Sequence, residues 1–224
     1  MKVFLGVLLA LLAVVALWLW QVKDAHLPAK PGDLPWQVTV SSDGLPQVFG
    51  LTIGQDSLAQ ARQLFGEDAK IGIIARQDEE GQGQLEMFYT LFNRAGLSGK
   101  LVLVADVAAP QLLAWRSRAS RREILSNASS IFHLNADDAA TAQQQPIQRI
   151  VFAPSVRLQT GMVTRLFGQP DHEITTAEGS HHLLYMEKGV VIEIHPKGKD
   201  FIHYQKPAEM PLLLTKLQAL SADL

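Results

Sequence analysis

The residues best suited to chemistry gather toward the C-terminal end of the chain. His181 and His182 are adjacent, His172, His195 and His203 lie nearby, and Glu173, Glu178, Glu187 and Glu193 supply carboxylates. Neighbours in a strand point to opposite faces, so His181 and His182 do not readily ligate one metal. Glu193 and His195 stand two apart and share a face if residues 190–195 form a strand. His203 on an adjacent strand completes a trio. Glu193, His195 and His203 are thus the sharpest candidates for a metal site or an acid–base pair. The plainer reading is a solvated sheet face with scattered His and Glu, since no HExxH spacing is present.

Other chemistries find less support. There is no GxSxG; Ser57, Ser98 and Ser180 occupy turn or cap positions, where serine serves local hydrogen bonds. The glycine-rich stretch at residues 79–84 lacks a following Lys-Ser/Thr and lies between strand-like runs, so a hairpin turn accounts for it. No cofactor signature appears and no catalytic residue is assigned. Arg116, Arg118, Arg121 and Arg122 form the densest charge cluster. With Trp115 they make a candidate partner-binding patch, because Arg and Trp are favoured in interface hot spots. A solvated helical face, with Trp115 as a core anchor, is the alternative.

The elements that must position these residues read as follows. Residues 55–65 carry Leu58, Ala61, Leu64 and Phe65 at helical spacing, capped by Asp56 or Ser57 and stopped by Gly66. Strand-like runs follow at residues 70–76, 84–92 and 100–107, separated by turn-rich segments. A polar middle has helical signals at residues 110–118 and 121–127, and an Ala/Gln-rich helix or loop at 137–145. A second unit begins near Ile147. It has a short helix at 161–167, then strands at 172–176, 181–186, 190–195 and 201–205. A final amphipathic helix spans 210–222, with Leu213, Leu217 and Leu220 on one side.

Residues 3–20 carry no charge and are rich in Leu, Val and Ala, with Trp18 and Trp20 at the end. About 20 apolar residues span a bilayer, and Trp favours its interface. The reading is an N-terminal transmembrane anchor over residues 1–22, with a cytoplasmic N-terminus. A cleaved signal peptide is the alternative, although the run is long and ends in a poor cleavage region. Residues 23–47 hold Pro28, Pro31, Pro35 and Pro46 and read as a stem. The 224 residues include 20 Lys+Arg, 22 Asp+Glu and no cysteine, for a formal charge of −2. That balance argues against a general nucleic-acid binder. Without cysteine, disulfides, thiol nucleophiles, Cys-ligated zinc, iron–sulfur clusters and a lipid-modified cysteine are excluded.

The two units match each other. RQLFGEDAKI at residues 62–71 aligns with TRLFGQPDHEI at 164–174, placing Phe65-Gly66 and Phe167-Gly168 in register. This pattern resembles the modules of the beta-lactamase-inhibitor-like group and of the small-protein-A-type outer-membrane assembly lipoproteins. Their signature runs Gly-Met, Leu, Gly, Pro-Asp before a meandering antiparallel sheet. The second unit supplies Gly161-Met162, Leu166, Gly168, Pro170 and Asp171. The first supplies Leu64, Gly66 and Asp68 but no Pro, and Gly54-Gln55 stands too far from Gly66 to be the same turn. The resemblance implies a protein-binding or structural module, with no catalytic residues to carry over.

The expectation is an α+β chain of two related small modules. Each is a short helix followed by a meandering antiparallel sheet, behind an N-terminal transmembrane helix. The boundaries are an anchor at 1–22, a stem at 23–47, a first module with a helical insert at 48–146 and a second module at 147–224. The function expected is that of a membrane-anchored, non-enzymatic envelope protein. It would be single-pass in the inner membrane with its modules in the periplasm, and its partner another envelope protein. The alternative is an enzyme or a metal- or small-ligand-binding protein with its site between the modules.

Overall fold

A computed structural model describes residues 32–75, 83–125 and 129–221. The described chain opens with a small antiparallel sheet of β1 (Thr39–Val40), β2 (Pro46–Val48) and β3 (Leu51–Thr52). The β2–β3 turn consists of Phe49 at φ 55° and Gly50 at φ 80°. Two successive positive φ values match the twist of a tight hairpin. Phe49 takes this conformation, costly for a bulky residue, and its ring is only 1% exposed. It meets Phe92, Phe152 and Tyr204 edge-on at 5.5, 5.6 and 5.9 Å. Packing of this kind offsets the backbone strain.

Helix α1 (Leu58–Phe65) begins at Ser57, whose side chain caps the Gln60 amide while Gln60 returns a bond to the Ser57 amide. Such a box is worth ~1 kcal/mol. The chain then forms β4 (Lys70–Ala75), β5 (Gln84–Arg94) and β6 (Leu97–Ala105). Helix α2 (Ala109–Ser117), strands β7 (Arg121–Ile124) and β8 (Ser130–His133) and helix α3 (Ala136–Ala142) make the middle segment. Next come β9 (Ile147–Pro154), α4 (Thr160–Phe167), β10 (His172–Thr175), β11 (His181–Tyr185), β12 (Val190–Ile194) and β13 (Phe201–Tyr204). A 3-10 turn at Pro207–Glu209 leads into α5 (Met210–Ser221).

All strands from β4 onward join one antiparallel sheet in the order β10-β11-β12-β13-β9-β6-β5-β4-β8-β7. The two units meet at β9, which pairs with β6 on one side and β13 on the other. One hydrophobic cluster draws on both units, taking Leu85, Met87, Leu101 and Leu103 from the first and Leu183, Val190, Ile192 and Ile202 from the second. Side chains of α1, α2, α3 and α4 join this cluster. Helix α5 instead packs Met210 and Leu217 on Leu184 and Val191 in a second, smaller cluster.

The internal repeat has a structural counterpart. Gly66 and Gly168 end α1 and α4 at φ 98° and 92°, a region glycine enters at little cost. The Tyr89 hydroxyl on β5 donates to the Gly66 carbonyl at 3.1 Å, and the Tyr185 hydroxyl on β11 donates to the Gly168 carbonyl at 3.0 Å. Each ring lies beside the phenylalanine preceding that glycine, at 5.9 Å for Phe65 and 5.7 Å for Phe167. Burial raises the pKa of both hydroxyls, pushing Tyr185 up to about 12.

Two expectations are corrected. Residues 121–124, expected in a helix, form the edge strand β7, paired with β8 from Arg121↔His133 to Ile124↔Ser130. The fold class is α+β with antiparallel sheets, but no transmembrane helix is among its described elements. No helix of the described residues is long and apolar enough to cross a membrane, and residues 1–22 lie outside the described residues. The longest described helix, α5, has 12 residues. That gives roughly 18 Å of rise against a bilayer core of about 30 Å.

Candidate functional site

The large sheet has two unlike faces. Helices α1 to α4 cover one, and α5 covers only the β10–β12 end of the other. Between α5 and β4, register places one lateral row of side chains on that second face. It runs Phe88↔Val102, Val102↔Val151, Val151↔His203 and His203↔Val191 across β5, β6, β9, β13 and β12. A parallel row runs Glu86↔Val104 and Val104↔Arg149. Beyond it, Glu193 stands opposite both Phe201 and His182. Part of these rows lines a trough of about 480 Å³, floored by Val102, Val104 and Val151 and edged by Glu86, Arg149, Glu193, Phe201 and His203.

The polar groups of the trough are partly committed to one another. Glu193 lies 3.6 Å from His203 Nε2. This polar contact with His203, longer than a hydrogen bond, holds its carboxyl below the ordinary glutamate range, against the opposing effect of burial. His182, 9% exposed, has its pKa lowered by burial, with Glu193 opposing the shift. Leu213 and Leu217 of α5 help to close the space above it. Arg149 donates through Nη2 to Gln84 Oε1 at 3.0 Å, while its buried Nε has no hydrogen-bond partner among the described residues.

The structure pairs Glu193 with His203, while His195, whose charge still acts on Glu193, is engaged in a turn. Strand β12 ends at Ile194, so His195 falls in the turn that follows. His195 Nδ1 accepts from the Lys197 and Gly198 amides, while its own amide donates to Asp200. No group of three or more His, Asp or Glu among the described residues is arranged to hold a metal ion. The pair leaves a two-residue polar contact, and the alternative of a metal or small-ligand site between the modules is corrected accordingly. His181 faces away from His182 and pairs with Glu173 at 3.2 Å. The sequence reading missed His182 and Arg149, whose place beside Glu193 and His203 depends on strand register.

The arginines of the candidate patch make local pairings. Trp115 is 1% exposed and belongs to the core. Arg118 makes a two-pronged bond to Asp138 at 2.7 and 3.2 Å. Arg118, with Asn135 and Trp115, keeps that carboxyl below the usual aspartate range. Arg121 pairs with Glu123 at 2.8 Å. Arg122 bonds Ser130 and lies over Phe132, and Arg116 lies over the same ring. These contacts tie α2, α3 and the β7–β8 hairpin together, with Arg116 and Arg122 sharing the Phe132 ring.

With no membrane-crossing helix among the described residues, the membrane-anchored envelope function, the membrane contact, the single-pass inner-membrane topology and the periplasmic placement have no described element to carry them, and the anchor expected at residues 1–22 lies outside the described residues. These expectations are withdrawn. No family model matches the chain, and neither the curated proteins nor the solved structures yield a match.

Proposed function

We propose that this chain is a recognition module that receives a protein partner on the second face of its long sheet. The observation that carries this reading is the lateral row Val102, Val151 and His203, set in an open trough between α5 and β4, with Phe88 next in register beside it. A continuous sheet provides a rigid platform, and five strands are about 24 Å wide. That width suits a folded surface or an extended chain. Apolar side chains at the centre with charges at the edge match the usual anatomy of an interface. The resemblance of the repeated Leu-Phe-Gly units to the beta-lactamase-inhibitor-like modules supports the same reading.

The test places a photo-crosslinking amino acid at Val102, at Val151 or at the exposed Lys216 of α5, in cells producing the full chain. The expected result is one shared adduct from positions 102 and 151 that is missing from 216. Adducts no stronger at 102 and 151 than at 216 would overturn the reading.

A further inference from the structure

At one end of the same face lies a second hollow, of about 370 Å³, with a different character. Two backbone features build it. A register shift between Tyr89 and Phe92 places a bulge in β5, which turns Leu91 out to 85% exposure. Such bulges re-aim side chains at the rims of sheets. On β6, Gly99 lies so close to β9 that an added Cβ would collide with the Ala153 carbonyl oxygen. The opposite wall carries Val156, 61% exposed.

The accessible charge around these two apolar residues is positive. Lys100, Arg157 and Lys199 line the hollow, and neither lysine has an ion-pair partner among the described residues. The one acidic residue in the lining, Asp200, is not available to a ligand. Its side chain is 1% exposed and accepts from the Leu158 and His195 amides at 2.7 and 3.0 Å. Arg157 covers it at 3.2 Å.

We propose that this hollow docks an acidic, extended segment of the protein partner, with one bulky apolar side chain seated between Leu91 and Val156 and flanking carboxylates held by Lys100 and Lys199. The inference rests on the sheet-face reading above and adds the chemistry of the partner. A concave site takes a single side chain, whereas a lipid surface calls for a protruding apolar element. Exposed ion pairs of this type contribute modestly and weaken with salt, so the apolar anchor supplies selectivity and the lysines supply the preference for acid.

The test uses the full chain and a fluorescein-labelled octapeptide with a central leucine-phenylalanine pair flanked by aspartates. Matched peptides carry lysines or serines in place of the aspartates, and phosphatidylglycerol vesicles form a separate arm. Fluorescence anisotropy should show saturable binding of the acidic peptide alone, weakening between 50 and 300 mM salt, conditions chosen to shorten the screening length. A K100E/K199E double variant should bind at least tenfold more weakly, and Leu91→Ser should also lose affinity. Lys216→Glu, on α5 and outside the lining of both hollows, should bind as the parent does. All these positions are solvent-accessible, and circular dichroism checks that each variant is folded. Equal binding of acidic and lysine peptides, no binding of either, or indifference to K100E/K199E would overturn the proposal. So would lysine-dependent binding of vesicles without peptide binding. Loss of peptide binding in Val151→Asp alone would move the acidic segment to the central trough, overturning the end-hollow assignment while leaving the sheet-face reading standing. The crosslinks from 102 and 151 test that reading separately.

Discussion

Replacing Tyr185 with phenylalanine tests whether the hydroxyl-to-glycine bond fastens the second unit's helix to its sheet. The substitution keeps the ring beside Phe167 and removes only the 3.0 Å bond to the Gly168 carbonyl. A neutral hydrogen bond of this kind contributes ~1 kcal/mol net. Gly168 is exposed, so water can satisfy the released carbonyl and the loss should not exceed that figure. For a domain of this size, ~1 kcal/mol lowers Tm by about 2–4 °C. The hydroxyl also links stability to pH. Its pKa rises from 10.0 to about 12 in the folded state, so the folded protein holds the proton more tightly than the unfolded chain does. The stabilisation is therefore complete below pH 10 and disappears as pH climbs toward 12. A rise of that size, caused chiefly by burial, corresponds to roughly 2–3 kcal/mol at most. Thermal melts of the parent, Tyr185→Phe, Tyr89→Phe and the double variant between pH 8 and 12 measure both effects. Each single variant should melt lower at pH 8, the double by about the sum, and the alkaline decline should be shallower in Tyr185→Phe. A Tyr185→Phe protein with the parental Tm and an unchanged alkaline decline would refute the reasoning.

Two further predictions concern buried polar groups. His182 is kept neutral by burial beneath Leu213 and Leu217 of α5 and beside Glu193, His203 and Arg149. Its lowered pKa gives stability that is full above the unfolded value of about 6.5 and is lost as pH falls through the folded value. Melts at pH 7.5 and 5 should show an acid-induced drop in Tm that Leu213-proximal hydrogen exchange localises to α5, and His182→Gln should flatten the drop. Asp200 accepts two buried amides and pairs with Arg157. Asp200→Ala strands those donors and should cost ~2–4 kcal/mol by urea denaturation, whereas Arg157→Ala, removing an exposed partner, should cost ~1 kcal/mol or less.

The local signals carried much of the architecture, while pairing information lay beyond them. Phe65-Gly66 and Phe167-Gly168 announced the repeat, because helix termination by glycine is a local event. The matching tyrosines did not align, since Tyr89 follows its glycine by 23 residues and Tyr185 by 17. Residues 121–124 lack any break that would bar a helix, and pairing with β8 makes them a strand, a case of tertiary context overriding local preference. Strand β9 escaped notice for another reason. A register shift at Val104/Ala105 puts buried Ile147 three residues before buried Ile150, which breaks the two-residue alternation by which strands are read. For the site, the proximity of Glu193 and His203 followed from one assumed strand pair. The place of His195 in a turn depended on where β12 stopped, and the arrival of Arg149 depended on β9 entering the middle of the sheet.

That position of β9 also bears on how the chain avoids self-association. Two meanders laid side by side without it would leave β6 and β13 each with a bare row of backbone donors and acceptors, the kind of template on which other chains stack. Strand β9 occupies both rows at once. The long sheet is left with β7 and β10 as its outermost strands. Each has four residues, reading RREI and HEIT. Short length and charged side chains make both poor seeds for fibrous growth, so a wide and partly apolar sheet can remain open on one face without inviting copies of itself along its edges.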